Sequence, residues 1–270
     1  MFHWKLTLSY DGTAFHGWQV QPHLPTVQGT LQQALAQLTG DFALPQGAGR
    51  TDTGVHALGQ VCSFSLTAPI PAPNLLRALN RALPAAIRVL AAEPVPAAFH
   101  ARRNVLHKTY EYHLFLRQLA PNTLDRICSP FLAPYVWDCR WPLALDPMHR
   151  AAAALCGTHD FTSFSAADPD LTHRSHPAPG RDPVKTLHTL NLAQHDSLLH
   201  LRFTGSGFLH HMVRNLVGTL VDVGRGALTP TDIPRILAAR DRAAAGPTAP
   251  PQGLFLLNVT YTDPPPGDAA

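Results

Sequence analysis

The sequence predicts an α+β protein made of two ferredoxin-like halves, each with an antiparallel sheet that carries helices on one face. Two observations predict this fold. Segments that alternate apolar and polar residues are followed by segments with apolar residues three or four positions apart, and this β-α-β-β-α-β order occurs twice. We place the halves at residues 1–104 and 105–262, followed by a disordered tail at 263–270. The sheet faces without helices would form a central active-site cleft.

The first strand and helix of the amino-terminal half have clear local signals. From His3 to Tyr10, apolar residues alternate with polar ones, which is typical of a strand with one buried face. Thr26 can cap a helix with apolar residues at helical spacing, and Gly40 can end it. The chain therefore opens with a strand followed by a helix.

The remainder of this half contains a glycine-rich turn between two extended segments. Phe42 to Leu44 is a short apolar lead into the turn, and Gln60 to Leu66 is a strand-like run after it. A second helix is predicted from Pro73 to Leu83 and a closing strand from Ile87 to Val95. These elements complete the β-α-β-β-α-β order.

The carboxy-terminal half repeats this order with larger insertions at 121–142 and 165–183, the second of which is loop-like. Its first strand is Lys108 to Leu116, in which Tyr110 and Tyr112 fall on one face. The other predicted elements are a helix at 146–156, a hairpin of 184–192 and 198–203, helices at 208–223 and 230–245, and a strand at 253–261.

Composition is typical of a cytoplasmic protein. Hydrophobic residues make up 45% of the chain, enough for a sizeable core. No apolar run approaches the roughly 18 residues that a membrane span requires, and the first ten residues alternate instead of forming a signal-peptide core. We therefore expect a cytoplasmic protein without membrane association. The net charge of +3 permits a polyanionic partner.

Cysteine and histidine spacing gives no indication of a metal centre. The four cysteines form no Cys-x-x-Cys pair. His210-His211 and His159-Asp160 lack a further ligand at a recognisable spacing. We expect no metal site and no disulfide framework.

The turn from Gly47 to Ala57 holds the strongest candidate for a catalytic residue, Asp52. Its glycines allow positive φ and a close approach of the backbone to a ligand, and they leave Arg50 and Asp52 exposed in a concave turn. An aspartate in such a turn more often bonds its own backbone. The arginine two positions before it and the Gly-Val-His after it favour a catalytic role instead.

Two further motifs can supply partners for Asp52. Arg214 lies at the border of the apolar arc of its predicted helix, where a guanidinium either pairs with a carboxylate such as Asp52 or reaches solvent. Tyr110 either belongs to the core or stacks on a nucleobase from a sheet that faces a cleft. Arg102 and Lys108 lie close to this strand in the sequence and can contact phosphates.

Several motifs together resemble the tRNA pseudouridine synthases of the TruA family, in the same order and over nearly the whole chain. The run AGRTDTGVHA at 48–57 matches the active-site motif of that family completely. The other similar segments, in chain order, are residues 10–13, Phe15, 17–19, 26–29, 99–102, 108–110, 157–161, 207–209, 212–214, Gly218 and 251–254.

The resemblance implies isomerisation of uridine to pseudouridine at positions 38, 39 and 40 of the tRNA anticodon arm, by a homodimer without metal or organic cofactor. It makes Asp52 the nucleophile and Arg214 its partner. Tyr110 would pack against the flipped base and can take the C5 proton, and Arg50 would occupy the space that the base leaves. The substrate-binding residues that we expect are Arg50, Tyr110, His56, Arg102 and Lys108.

The chemistry of this reaction agrees with the residues. Moving uracil from its C1′–N1 bond to a C1′–C5 bond is redox-neutral and hydrolyses nothing, so a nucleophilic carboxylate suffices. Attack at C1′, an adduct at C6 and a glycal route all remain open.

The sequence departs from the family pattern at two positions, and other functions can be compared with its residues. Lys185 stands where an arginine is common, and Glu111 lies between the two tyrosines where a basic residue is frequent. A non-catalytic RNA-binding protein would use the same sheet face but would have no use for Asp52, because a carboxylate repels phosphate. A metal-dependent phosphohydrolase would need histidine ligands that the spacing does not indicate.

Overall fold

The computed structural model of the chain describes residues 1–118, 124–166 and 182–262, which contain ten strands and five α-helices. These residues divide into two compact units, Met1–Thr109 with the described residues from Phe255 onward, and Tyr110–Leu254. The predicted tail at 263–270 and most of the predicted insertion at 165–183 lie outside the described residues. Among the described residues, no helix is both long enough and apolar enough to cross a bilayer.

The first unit has the predicted order of strands and helices. Strand β1 pairs antiparallel with β3 and β4, β2 pairs with β3, and β10 runs parallel to β3, so the strand order is β4-β1-β3-β10. The elements are β1 (Phe2–Tyr10), α1 (Val27–Thr39), β2 (Gln46–Gly47), β3 (His56–Leu66), α2 (Ala72–Ala82), β4 (Ile87–Pro94) and, from Phe255 on, β10 (Leu254–Tyr261).

Local sequence explains the first strand and helix of this unit. In β1 every second residue from Trp4 to Tyr10 is buried, as the alternation predicts. Helix α1 begins after Thr26, whose side chain accepts a hydrogen bond from the amide of Gly29 at 3.2 Å. It ends at Gly40, whose φ of 77° is the left-handed conformation that glycine adopts without strain. The predicted cap and stop of this helix are confirmed.

The segment before the turn differs from its prediction. The paired residues are Gln46–Gly47, whereas Phe42 in the predicted apolar lead is 76% exposed. Strand β3 begins at His56, four residues earlier than predicted, so the end of the turn motif is already strand. Its burial on both faces hides the alternation that would mark its start.

The second unit has the strand order β5-β9-β8-β7, with β6 parallel to β5. The predicted hairpin is confirmed, because β8 and β9 pair antiparallel through a turn in which Asp196 has a φ of 51°. The elements are β5 (Val105–Leu116), β6 (Trp137–Cys139), α3 (Leu145–Leu155), β7 (Gly157–Asp160), β8 (Val184–His195), β9 (Leu198–Gly205), α4 (Met212–Gly224) and α5 (Asp232–Ala239).

Four features of this unit differ from the sequence prediction. Helix α4 begins at Met212 and not at Phe208, because His211 has a left-handed φ of 59°. Helix α5 ends at Ala239, because Arg240 has a φ of 49°. The short strands β6 and β7 were not predicted. The last strand, assigned by sequence to the second half, groups with the first unit from Phe255 onward.

Candidate active site

The turn that carries Asp52 has a defined backbone geometry. The amide of Val55 donates to the carbonyl of Asp52 at 3.1 Å, which closes a four-residue turn. Gly54 occupies the third position of this turn with a φ of 77°. A type II turn requires a φ of about +80° there, which favours glycine. The side chain of Asp52 is half-buried. The turn therefore presents its carboxylate from a fixed backbone.

A second glycine-containing segment, residues 12–18, forms backbone hydrogen bonds with this turn. The amide of Trp18 donates to the carbonyl of Thr51 at 3.0 Å, and the amide of Gly54 donates to the carbonyl of Phe15 at 3.3 Å. Gly17 has a φ of 81°, and a Cβ there would lie 2.6 Å from the carbonyl oxygen of Thr51. Two motifs that are distant in sequence thus form one structure.

Gly12 makes a second close approach to the turn. A Cβ at this position would lie 2.1 Å from the carbonyl oxygen of Val55, closer than real contacts of this kind. The amide of Gly12 donates to Nδ1 of His56 at 3.0 Å. The glycine is therefore required by proximity and not by a positive φ.

A buried polar network lies beneath the turn. The hydroxyl groups of Tyr10 and Thr51 are 2.8 Å apart, and Nε2 of Gln60 donates to the carbonyl of Gly49 at 2.9 Å. Burial raises the pKa of Tyr10 to about 12, so its phenol stays neutral near pH 7 and can act as a hydrogen-bond donor. These buried groups satisfy one another and fix the turn from below.

The first turn of helix α1 contacts the chain segments on either side of it, one of which leads into the Asp52 turn. The side chain of Gln28 accepts from the amide of Val20 at 2.9 Å and donates to the carbonyl of Pro45 at 2.8 Å. The indole of Trp18 packs on Gly47, where a Cβ would lie 2.6 Å from the ring. The amino-terminal segments that carried the family resemblance therefore serve as the scaffold of the Asp52 turn.

Arg50 lies on the same turn and, like Asp52, is half-buried, whereas the sequence predicted that both side chains are exposed. His56 is only 1% exposed, and its ring stacks on Phe255 with centroids 4.7 Å apart. Because Nδ1 of His56 accepts from the amide of Gly12, the approach of Asp11 to that nitrogen at 3.2 Å is not an ion pair with a charged ring. His56 supports the turn, and its contact with substrate stays a prediction.

The two other basic residues predicted in this unit differ in environment. The ammonium group of Lys108 donates to the carbonyl of Ala48 at 2.7 Å, so Lys108 is tied to the start of the turn motif. Arg102 is exposed, and its amide donates to Nδ1 of His100 at 3.1 Å. Lys108 can position the turn, whereas the side chain of Arg102 is accessible to a ligand.

The two tyrosines of strand β5, in the second unit, have different environments. Tyr110 is 7% exposed and meets the edge of Phe208, with ring centroids 5.1 Å apart and planes at 82°. Tyr112 is fully buried and its hydroxyl donates to the carbonyl of Pro250 at 2.7 Å. Burial raises the pKa of Tyr112 well above its usual value. Tyr112 is therefore a core residue, whereas Tyr110 is also largely buried and its contact with substrate stays a prediction.

Arg214 lies in the first turn of helix α4, and the chain segment 247–250 fixes it. Its Nε donates to the carbonyl of Ala249 at 2.8 Å, and the amide of Ala249 donates to the carbonyl of Arg214 at 3.1 Å. One turn further on, a Cβ at Gly218 would lie 1.7 Å from the carbonyl oxygen of Pro247. The head of the arginine is thus oriented by backbone contacts that its helical position alone did not predict.

Comparison with known proteins gives consistent matches. The family model described as tRNA pseudouridine synthase matches residues 7–103 and 151–262, which include Asp52 and Arg214 but not Tyr110. The tRNA pseudouridine synthase A of Solibacter usitatus is 46% identical over 257 residues, covering 95% of this chain and 98% of that protein. The proteins of the same name from Moorella thermoacetica and Neisseria gonorrhoeae are 45% and 42% identical, covering 95% and 96% of this chain and 98% and 91% of theirs.

Gly17→Ala should destabilise the chain more than Gly40→Ala, although both glycines have a φ near +80°. Gly40 has open space around its Cβ position, so alanine there costs about 1–2 kcal/mol from the left-handed conformation alone. At Gly17 the new methyl group also meets the Thr51 carbonyl, which adds roughly 1–3 kcal/mol. Urea unfolding of the two variants measures the difference. Equal costs would contradict the close packing of this segment on the turn.

Proposed function

Because the chain belongs to the tRNA pseudouridine synthase family, we propose that it converts uridine to pseudouridine at positions 38, 39 and 40 in the anticodon stem and loop of tRNA. The observation that carries this proposal is the half-buried Asp52 on a turn fixed by segment 12–18. A carboxylate that must attack one atom of a bound nucleotide benefits from such a fixed backbone. We also propose that this enzyme, an isomerase, acts in the cytoplasm.

Asp52 is the nucleophile in this proposal. The reaction breaks the bond between C1′ and N1 of uracil and forms a bond between C1′ and C5. C5 loses its proton and N1 gains one, so the product is an isomer of the substrate. No electron is gained or lost overall, so the carboxylate needs no redox cofactor and no metal-bound hydroxide. The order of bond making and breaking stays open among attack at C1′, an adduct at C6 and a glycal route.

Tyr110, Arg50 and Arg214 contribute to the same step. The target base has to leave its stack before a protein side chain can reach C1′, and Arg50 then occupies the vacated space. The ring of Tyr110, oriented by its edge contact with Phe208, packs on the flipped base, and its phenol accepts the C5 proton. Arg214 pairs with the carboxylate of Asp52, because a guanidinium at the border of a buried helix face needs a charged partner.

Three further residues contribute to substrate binding in this proposal. Arg102 is exposed and binds phosphate directly. Lys108 contributes positive charge while its ammonium group holds the carbonyl of Ala48, and His56 acts through the turn that it supports. Loss of Arg102 should therefore weaken tRNA binding, whereas loss of Lys108 or His56 should also affect the position of Asp52.

Asp52→Asn should abolish pseudouridine formation without abolishing RNA binding. Asparagine keeps the size of the side chain but is not a nucleophile. In cells that lack the protein, the wild-type chain should restore pseudouridine at positions 38, 39 and 40 and the variant should restore none. The purified variant should bind an anticodon stem-loop within about 3-fold of the wild-type affinity, a change below 1 kcal/mol.

Asp146→Asn is the matched control, because this aspartate is exposed in the first turn of helix α3. It should show wild-type turnover in a tritium-release assay with excess EDTA present. Turnover by Asp52→Asn would contradict the role of Asp52. Unchanged pseudouridine in cells lacking the protein would instead favour a non-catalytic RNA-binding role.

Tyr110→Phe should lower the rate of the chemical step by about 10²–10⁴-fold, the usual contribution of a positioned acid or base. The aromatic ring and its contact with Phe208 remain, so RNA binding should change little. Tyr112→Phe is the control, since it removes only the hydrogen bond to Pro250 and should cost about 1 kcal/mol of stability without loss of turnover. Single-turnover kinetics separate these effects. Full activity of Tyr110→Phe would contradict its role in proton transfer and leave it only stacking.

We further propose that the protein is a homodimer. Three large apolar side chains in the segment 124–131 are at least 90% exposed, namely Leu124, Ile127 and Phe131. Exposed side chains of this size gain about 1.5–3 kcal/mol each when a partner buries them. A second copy of the chain is the partner that is always available at equal concentration.

Phe131→Asp should convert the dimer into monomers, because a carboxylate cannot be buried unpaired in an apolar interface. Light scattering after gel filtration should give twice 29.3 kDa for the wild-type chain and 29.3 kDa for the variant. Leu90→Asp, on an exposed position of strand β4, should leave the dimer intact. A monomeric wild-type chain would contradict the dimer, and a dimeric Phe131→Asp would place its interface elsewhere.

A further inference from the structure

A polar cluster in the second unit has no part in the proposed reaction. It consists of Glu111 and His113 on strand β5 and His200 and Arg202 on strand β9, which we call the Glu111 cluster. Glu111 is only 7% exposed. A carboxylate buried to this extent needs partners, and the cluster supplies them.

The two oxygens of the Glu111 carboxylate have different partners. Arg202 holds Oε2, with its Nε at 2.8 Å and its terminal nitrogen at 2.7 Å. The other oxygen, Oε1, faces two imidazoles. Nε2 of His113 is 2.8 Å from it, and Nδ1 of His200 is 3.3 Å from it. The guanidinium therefore orients the carboxylate so that one oxygen points at both histidines.

The donor atoms have the spacing of a metal site. Oε1 of Glu111, Nε2 of His113 and Nδ1 of His200 all lie within 4.8 Å of one another. An ion bound tetrahedrally with bonds of about 2.0 Å separates its ligands by roughly 3.3 Å, close to the two distances to Oε1. One carboxylate oxygen with two imidazole nitrogens is also a ligand set that binds zinc in proteins.

We propose that Glu111, His113 and His200 bind one divalent transition-metal ion of the zinc class, with Arg202 orienting the carboxylate from the second coordination shell. Nitrogen donors favour Zn²⁺, Co²⁺ and Ni²⁺, whereas Mg²⁺ and Ca²⁺ prefer sites made of oxygens. Three protein ligands leave a coordination position for water. The ion would link strands β5 and β9 and takes no part in the isomerisation.

The charge of Glu111 permits a metal cation in the Glu111 cluster even though the guanidinium group of Arg202 is nearby. Burial opposes the charge on Glu111, but hydrogen bonds from His113 and Arg202 outweigh it and lower the pKa of the carboxyl group, so it is ionised near pH 7. Arg202 is balanced by Oε2, and Oε1 remains directed at the imidazoles.

The test is equilibrium dialysis of the full chain, freed of any histidine tag and treated with EDTA, against Zn²⁺ or Mg²⁺. One zinc ion per chain should bind, and zinc but not magnesium should raise the midpoint of thermal unfolding. Co²⁺ should give visible absorption bands of a low-coordinate site with nitrogen ligands. Absence of stoichiometric zinc, or equal binding of magnesium, would overturn the proposal.

Variants locate the ion. Glu111→Gln, His113→Ala and His200→Ala should each weaken zinc binding by about 100-fold or more, since loss of a second-shell partner alone costs about 10–100-fold. Arg202→Gln removes such a second-shell partner and should weaken binding by about 10-fold. His149→Ala, an exposed histidine on helix α3, should have none.

His200→Ala guards against misfolding as an explanation, because its side chain is partly exposed and tolerates truncation best. Its unfolding midpoint in EDTA should match that of the wild-type chain. Full zinc affinity in the His200 and His113 variants would place the bound zinc outside the Glu111 cluster and overturn the assignment.

Discussion

The close contact between two backbones, residues 12–18 and residues 51–55, is the constraint on which the candidate site depends. Hydrogen bonds from Trp18 to Thr51 and from Gly54 to Phe15 join them, and no side chain fits between them at Gly12 or Gly17. Backbone contacts of this kind cannot be relaxed by a change of rotamer. They convert a turn, ordinarily a mobile element, into a fixed support for one carboxylate.

The side chains around this contact have a supporting function. The buried network of Tyr10, Thr51 and Gln60 satisfies polar groups that the turn would otherwise leave unpaired in the core. His56, which as a histidine invites a catalytic role, instead accepts a hydrogen bond from the amide of Gly12 and packs on Phe255. Tyr10, Thr51, Gln60 and His56 therefore stabilise the turn that carries Asp52.

Local signals predicted the elements that depend on local physics. Alternation, a capping threonine and a terminal glycine were enough for β1 and α1. The start of α4 depends on the left-handed backbone of His211, and Tyr112 is distinguished from Tyr110 by a carbonyl 138 residues away in sequence. Periodicity could not predict the start of α4, because it does not report the backbone conformation of His211. It could not separate the two tyrosines either, because both lie on the same face of one strand. The Asp52 motif was predictable, whereas its glycine contacts required the fold.

An isomerisation without redox change makes catalysis depend on the geometry of the reacting groups. An ordinary carboxylate becomes a useful nucleophile when its approach to one atom is restricted, and restriction by backbone costs no side-chain entropy at the moment of reaction. The close contacts at Gly12 and Gly17 supply this restriction in the turn that carries Asp52. The Glu111 cluster is built differently, since side-chain hydrogen bonds and a ring contact between His113 and His200 surround its carboxylate. In the proposed metal site the ion would replace the proton between Glu111 and His113 without a change of backbone, so the two proposals give one carboxylate to chemistry and another to ligation.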